Sequence, residues 1–256
     1  VAEPIDLSQL TPVSLAEVVA EAAALTRVDR KYVVPVEVAQ QVVDRLGSHR
    51  VLTFGTRCWT TYRTVYFDTP DLAACRAHVQ QRRRRWKART RLYVEDRHCR
   101  VEVKARTGGA VTHKRFTDAP AEDFGRLGAA EARFIHAELT GLGFAPASRL
   151  APAMEIGYRR ATLADLTAGT RVTIDREMRA SRAGVDVVLD RSHVLLETKG
   201  GLRPGEADLV LLSLGVRPRS FSKYAASVSL SEPGIADNDV RSMLGHELHV
   251  LSGGVW

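Results

Sequence analysis

Cysteine is scarce and odd in number: Cys58, Cys75 and Cys99 are the only three in 256 residues, and no two stand at C-x-x-C spacing. This argues against a disulfide framework and against a zinc ribbon, and it points to a reducing compartment. No stretch approaches the roughly 20 consecutive apolar residues that a membrane span requires. The segment through Leu25 has apolar residues at helical spacing, but Glu17 and Glu21 interrupt it and no basic leader precedes it, so a signal peptide is not expected. The expected location is the cytoplasm. A Walker-type G-x-x-x-x-G-K-[ST] loop is absent, as are internal repeats, heptad arrays and an interdomain linker.

What the chain has in quantity is positive charge. Its 37 Lys and Arg outnumber 30 Asp and Glu, a formal net charge of +7. The partner is therefore expected to be anionic: nucleic acid, a membrane surface or a phosphate-rich small molecule. The basicity is concentrated. Between Arg82 and Arg115 thirteen cations face three acids, Glu95, Asp96 and Glu102, so this one segment carries more than the excess of the whole chain. The 45% hydrophobic content is enough for a full core, which excludes a disordered or low-complexity chain.

Periodicity predicts a helix over Leu7–Leu25, a strand over Val28–Val34, and a second helix led by Pro35, with Val38, Val42, Val43 and Leu46 as its stripe. Thr61–Asp68 reads as a strand, followed by a short helix with Thr69 as N-cap and Pro70 at its first position, reaching Val79. Strands are predicted over Trp86–Glu95, Arg100–Arg106 and Val111–Phe116, the last two joined at Gly108-Gly109. A helix over Ala121–Leu139 follows, then strands over Ala153–Leu163 and Arg171–Glu177. Asp186–Lys199 reads as a hairpin broken near Asp190–Ser192, with short helices over Pro204–Leu214 and Ser222–Leu230. About eight strands with peripheral helices predict an α+β fold built on an antiparallel eight-stranded barrel, in one domain over residues 1–230 with a C-terminal tail over 231–256.

Strand alternation sorts the charges. Lys87, Arg89 and Arg91 share one face, against Trp86, Ala88, Thr90 and Leu92 on the other. The same period sets Glu102 and Lys104 against Val101 and Val103, Arg171, Thr173 and Asp175 against Val172 and Ile174, and Glu197 and Lys199 against Leu196 and Thr198. Like charges two residues apart lie about 6.6 Å apart and repel by about 2.5 kcal/mol at an effective dielectric near 20. If helices cover the apolar faces, the charged faces need interior carboxylates and a bound polyanion.

The ordered strings Asp29-Arg30-Lys31-Tyr32, Tyr66-Phe67-Asp68-Thr69-Pro70, Lys87 to Tyr93 and Val101-Glu102-Val103-Lys104 resemble the VTC domain, the polyphosphate polymerase domain of the triphosphate tunnel metalloenzyme (CYTH-like) superfamily. His113-Lys114-Arg115-Phe116, Tyr158-Arg159-Arg160, Arg171 to Asp175, Leu195 to Lys199 and Phe221-Ser222-Lys223-Tyr224 extend the resemblance over most of the chain. It implies a stand-alone, prokaryotic-type member in which an eight-stranded tunnel with basic walls binds ATP or another nucleoside triphosphate and polyphosphate, with Mn²⁺ or Mg²⁺. Carried over by motif, Arg89, Arg91, Arg160 and Lys199 are the expected catalytic cations. Lys31, Lys87, Lys104, Lys114, Tyr158, Arg171, Ser222 and Lys223 are the expected substrate ligands, and Glu197 the metal ligand, with Glu102 a second acid. Asp29 stands where family members often carry Glu.

The implied reaction is phosphoryl transfer from the triphosphate, to a growing polyphosphate chain in a polymerase or to water in a triphosphatase. The rival classes are a catalytically idle polyphosphate-binding scaffold and a nucleic-acid module tracking Arg82–Arg91. Glu102, Asp175 and Glu197 among the strand-face cations argue against the nucleic-acid module. His246 and His249 read as a surface pair, Ser220-Phe-Ser-Lys223 lacks the companion motifs of a serine nucleophile, and Gly141-Leu-Gly143 reads as a helix-ending turn.

Overall fold

The computed structural model describes residues 5–20, 28–109, 111–145 and 149–252. In chain order the elements are β1 (Pro12–Val13), α1 (Leu15–Ala20), β2 (Val28–Pro35), α2 (Val36–Asp44), β3 (Arg50–Leu52), β4 (Thr60–Asp68) and α3 (Ala73–Val79). Then follow β5 (Arg84–Tyr93), β6 (His98–Thr107), β7 (Thr112–Ala119), α4 (Ala129–Gly141), β8 (Ala151–Asp165) and β9 (Thr170–Arg182). The chain ends with β10 (Val185–Leu189), β11 (His193–Gly200), α5 (Glu206–Ser213), α6 (Lys223–Ser231) and β12 (Leu248–Ser252). This is the α+β class that the periodicity predicts, with a mostly antiparallel sheet and helices around it.

Among the described residues twelve strands belong to one sheet, whose main path is the eight-strand run β12-β10-β9-β8-β4-β5-β6-β7. The strand β11 pairs with β9 and β2, and the short β1 and β3 join through β8. The path is open: β12 and β7 are its ends, and hydrogen bonding does not join them among the described residues. The chain forms two compact units interleaved in sequence, the first made of 1–60, 158–178 and 189–221 and the second of 61–157, 179–188 and 222–256.

In the first unit β2, β11 and β9 lie side by side, with Leu196 opposite both Tyr32 and Ile174, and Thr198 opposite Arg30 and Val172. Alternation turns Tyr32, Val34, Val172, Ile174, Val194 and Leu196 to one side, where they pack with Ala39, Val42 and Val43 of α2 and Ala207 and Leu211 of α5. Pro35 ends β2 and leads directly into α2 with φ of −55°, a torsion its ring already imposes. Asp208 fixes the start of α5. Its carboxylate accepts from Gly205 N at 2.9 Å, Tyr32 Oη at 2.7 Å and Thr198 Oγ1 at 2.6 Å.

In the second unit the β4–β5–β6–β7 meander has full antiparallel register. Its apolar side presents Ala88, Val101 and Val103 to Ile135 and Leu139 of α4, with Trp86, Phe134 and Phe144 at the margin. Gly108, at φ of 112°, makes the turn between β6 and β7 that a side chain would strain. The buried Asp68 at the end of β4 organises α3. It accepts from Thr69 N at 2.7 Å, Ala74 N at 2.9 Å, Cys75 N at 2.8 Å and Tyr224 Oη at 2.6 Å.

Four departures from the sequence reading bear on how the elements begin and pair. The first predicted helix is shorter at its start: β1 occupies Pro12–Val13 and α1 begins at Leu15, while residues 21–25 of that prediction lie outside the described residues. The helix after β4 starts at Ala73 rather than Pro70, because Asp68 takes up the N–H groups of Ala74 and Cys75 and Thr69 Oγ1 accepts from Ala73 N at 2.9 Å. The predicted helix over Ala121–Leu139 is a single 3-10 turn at Ala121–Asp123 and then α4, interrupted by Gly125 with φ of 80°. Residues Asp186–Lys199 break where expected, yet they are not a hairpin: β10 pairs with Arg179–Arg182 of β9, and β11 with Arg171–Asp175 of the same strand.

Burial of Ile135, on α4, against Ala88, Val101 and Val103 sets the measurable cost of uncovering the meander. The substitution Ile135→Ala is expected to lower unfolding free energy by about 2–5 kcal/mol in urea titration. The exposed Leu209→Ala is expected to stay within about 0.5 kcal/mol of the parent.

Candidate functional site

On the side of the second unit's meander opposite α4, the register lines up charged residues strand against strand. Arg89 faces Glu102, Lys87 faces Lys104, and Lys104 faces Lys114. The Glu102 carboxylate is 2% exposed and is the centre of this face. Arg89 donates to its Oε2 through Nε at 2.7 Å and also through Nη2. Arg91 Nη1 lies 3.8 Å from Oε2, and Lys114 Nζ lies 3.3 Å from Oε1. Burial alone would raise the Glu102 pKa, but Arg89, Arg91 and Lys114 together hold it well below the usual carboxylate range. Burial lowers the Lys114 pKa, with the Glu102 charge opposing that shift. Three cations share one carboxylate, so the cluster keeps a net positive charge.

Tyr66 backs this cluster. Its hydroxyl accepts from Arg89 Nη1 at 2.8 Å, and its ring stacks on Tyr224 at 4.6 Å between centroids with 12° between planes. Burial pushes the Tyr66 phenol up, and the Arg89 and Arg91 guanidiniums bring it below its ordinary value. Burial and the Asp68 carboxylate push the Tyr224 phenol up instead, so the two stacked phenols are shifted in opposite directions. Lys87 Nζ donates to Ser222 Oγ at 2.7 Å, and the same hydroxyl accepts from Ala225 N at 3.3 Å as the N-cap of α6. Lys223, the first residue of α6, adds its charge to the field on Tyr66.

The first unit has its own charged face. Glu197 stands opposite Lys31 on β2 and Thr173 on β9, while Lys199 stands opposite Asp29 and Arg171. Glu197 Oε1 lies 3.6 Å from Lys31 Nζ and 3.7 Å from Lys199 Nζ. Arg160 makes a two-pronged ion pair with the buried Asp175, Nε to Oδ1 at 2.5 Å and Nη2 to Oδ2 at 2.7 Å, and its guanidinium lies over the Tyr158 ring at 5.2 Å. Arg171 Nη2 donates to the Val18 carbonyl at 3.1 Å, at the end of α1. Burial pushes the Lys199 ammonium down to about 8, opposed by Glu197 and reinforced by Arg160.

The predicted residues thus fall into two groups. Arg89, Arg91, Lys87, Lys104, Lys114, Ser222, Lys223 and Glu102 belong to the second unit, and Lys31, Tyr158, Arg160, Arg171, Glu197 and Lys199 to the first. The two carboxylates differ in their surroundings. Glu102 is enclosed by cations that donate to it or crowd it, a setting suited to an ion-pair hub and unsuited to a metal. Glu197 Oε1 lies 3.6 Å from Lys31 Nζ and 3.7 Å from Lys199 Nζ, and a carboxylate oxygen is the kind of ligand a hard divalent cation takes. Among the described residues no group of three or more His, Cys, Asp or Glu is arranged to hold a metal ion. A cation on Glu197 would draw its other ligands from phosphate oxygens and water, as Mg²⁺ commonly does.

Residue reading missed Tyr66 and Tyr224 as supports for the cation cluster, and Asp175 as the clamp on Arg160. Tyr66 carried a signal: it shares strand parity with Asp68 and lies in the quoted Tyr66–Pro70 string. The Asp68–Tyr224 bond joins residues 156 positions apart, and no local pattern announces it.

Comparison with known proteins bears on the fold and the family. No curated protein matches the chain. Among solved structures, the fold is similar to HpAC1 from Hippeastrum, described as a putative adenylyl cyclase with a dominant triphosphatase activity. The identity is 15% and the TM-score 0.51, over 80% of this chain and 96% of that one. PH1012 from Pyrococcus horikoshii OT3 shows 13% identity and a TM-score of 0.39, over 77% of this chain and 97% of that one. The family model of the VTC domain matches residues 26–231, which takes in both charged faces and most of the chain, and the protein therefore belongs to the VTC domain family.

Proposed function

We propose that the protein catalyses metal-dependent phosphoryl transfer from a nucleoside triphosphate, and that the acceptor is a growing polyphosphate chain. The observation that carries this reading is the charge ratio on the second unit's face, where one buried carboxylate serves Arg89, Arg91 and Lys114 while Lys87 and Lys104 continue the cationic row. Such a face needs an anion of several charges to complete it. A single triphosphate accounts for the cluster around Glu102, and the cross-strand row Lys87, Lys104 and Lys114 fits a longer polyanion. The membership of the VTC domain family and the triphosphatase activity described for the Hippeastrum protein of similar fold support the same chemistry.

In this reaction a terminal phosphate oxygen of the acceptor attacks the γ-phosphorus. The bond from γ-phosphorus to the bridging oxygen breaks, and the nucleoside diphosphate leaves with the electron pair. Arg89, Arg91 and Lys114 bind phosphate oxygens in the second unit. Lys31, Arg160, Arg171 and Lys199 do so in the first. Glu102, Tyr66 and Asp175 hold the guanidiniums in place, so little reorganisation is needed when charge builds on the transferring group. A divalent cation held by Glu197 supplies further neutralisation of phosphate oxygens when bound. Transfer to water is the second reading, favoured by the activity of the Hippeastrum protein.

Incubation with ATP and Mn²⁺ or Mg²⁺, with products resolved on a gel, is expected to give polyphosphate chains and matching ADP. Free phosphate without chains would assign water as the acceptor, and absence of turnover would overturn both readings. In the same assay Glu197→Gln is expected to lose metal stimulation, and unchanged metal dependence would remove Glu197 from the metal site.

Arg91→Ala is expected to weaken tripolyphosphate binding by about tenfold or more, the equivalent of about 1.4 kcal/mol, by isothermal titration calorimetry. Parental affinity would place Arg91 outside the phosphate site.

Lys199 gives a pH signature. Its ammonium is charged below about 8 and neutral above, where an ordinary lysine stays charged. A phosphate ester loses its last proton near pH 6, so the ligand gains no compensating change between pH 7.5 and 9.5. Affinity for ATP is expected to fall across that range, and Lys199→Arg is expected to flatten the fall because a guanidinium stays protonated. An identical profile in both proteins would exclude Lys199 from the binding of phosphate.

A further inference from the structure

Phe116 breaks the rule that governs its strand. On β7 the residues of the charged side are Thr112, Lys114, Phe116 and Asp118, and Phe116 stands in register with Glu102. It takes no part in the core under α4 and is 51% exposed. Burial does not account for a large aromatic ring on a cationic face, since an apolar ring left half in water brings little hydrophobic gain.

The surroundings of the ring are specific. Arg100 lies with its guanidinium carbon 4.5 Å from the Phe116 centroid and 6.0 Å from that of Tyr93. Arg100 is itself oriented, donating from Nε to Asp118 Oδ1 at 3.0 Å, and His98 Nε2 lies 3.3 Å from the same oxygen. Tyr93 contacts His98 at 5.6 Å and Tyr62 at 5.0 Å between ring centroids. Flat π surfaces and a guanidinium plane are thus gathered beside the Glu102 cluster. Lys114, one of the three cations on Glu102, lies two residues along β7, about 6.6 Å away in an extended strand.

We propose that Phe116, flanked by Arg100, is the platform on which the base of the nucleoside triphosphate stacks while Arg89, Arg91 and Lys114 hold its phosphates. This rests on the reading of the second unit's face as a triphosphate site and deepens it by assigning the other end of the same ligand. Every nucleobase has a π face, and an exposed ring beside a guanidinium offers the paired stacking and cation–π contact that single-stranded nucleic-acid binders use without choosing among bases. The spacing suits the ligand. Phe116 stands directly opposite Glu102 on the next strand, and Lys114 Nζ lies 5.9 Å from its ring centroid, so a base on the ring adjoins the cations that hold the phosphates, whereas inorganic polyphosphate has no group to place there. The ring therefore separates the donor nucleotide from the product chain, which share the same phosphate chemistry. It would bind all nucleoside triphosphates through the base and tripolyphosphate not at all.

The test compares ATP with inorganic tripolyphosphate as ligands of the full chain in calorimetric titrations, using the parent, Phe116→Ala and Phe116→Trp. The expected result for Phe116→Ala is about tenfold weaker ATP binding with tripolyphosphate affinity within twofold of the parent, as loss of one base stack implies. Phe116→Trp, which keeps a stacking surface, is expected to restore ATP affinity and to show fluorescence quenching by ATP beyond that of the parent, with none by tripolyphosphate. Equal weakening of both ligands in Phe116→Ala would overturn the proposal and make the ring a support for Lys114 and Arg100. Unchanged affinity for both would overturn it as well. If the parent binds neither ligand, the phosphate reading itself fails, an outcome distinct from the loss of selectivity at Phe116.

Discussion

A carboxylate with 2% exposure and three cations within 4 Å is an expensive arrangement for a fold, and the charged face of the second unit is built around it. Two unit charges 4 Å apart interact by about 4 kcal/mol at an effective dielectric near 20. Without Glu102 of β6, Arg89 and Arg91 on β5 and Lys114 on β7 would repel one another across strands whose spacing is set by backbone hydrogen bonds. With Glu102 the cluster holds together, yet it remains cationic. Asp175 plays the corresponding part for Arg160 in the first unit, and Glu197 lies between Lys31 and Lys199. The interior acids are the condition under which either face can keep its cations in the absence of ligand.

That condition depends on what lies on the far side of each sheet. The period of two residues along a strand can segregate charge only if the opposite side is dry, and each unit meets this with helices. In the first, α2 and α5 cover Val172, Ile174 and Leu196; in the second, α4 covers Ala88, Val101 and Val103. A one-residue slip of β5 or β11 would place arginines and lysines in those cores and valines on the charged faces, so the register of the charged residues and the stability of the core are set by the same pairing. The Asp68–Tyr224–Tyr66 chain carries the constraint further. It connects the first turn of α3 and a residue of α6 to the guanidinium of Arg89.

Much of this was legible from alternation alone. The faces of Lys87, Arg89 and Arg91, of Glu102 and Lys104, of Arg171, Thr173 and Asp175, and of Glu197 and Lys199 are as the strand period requires. Local pattern could not supply the pairing partner of a strand. Asp186–Lys199 has the composition of a hairpin, but β10 and β11 pair with different parts of the thirteen-residue β9, which sequence periodicity reads as an ordinary strand. Helix starts failed for a related reason. The start of α3 is decided by the buried Asp68 and not by Thr69 and Pro70, and burial is a property of the fold rather than of the string. The individual contacts Arg89 to Tyr66 and Arg160 to Asp175 follow from register and side-chain reach, which require the partner strand to be known.

The pairing of acids with cations also bears on how such faces meet phosphate. Arg89 gives Nε and Nη2 to Glu102 and Nη1 to Tyr66, and Arg160 gives Nε and Nη2 to Asp175. A guanidinium is a planar fork of N–H groups, and in both residues that fork is fixed by protein acceptors. The bidentate fork that would seize a phosphate in solution is here used to fix the side chain, so the guanidinium charge is held at a set position. This exchanges some binding strength for orientation, because a fork held by a carboxylate cannot swing to follow the phosphate oxygens. Phosphoryl transfer rewards that exchange: the charge on the transferring group shifts during the reaction, and donors that are already fixed stabilise it without first having to move.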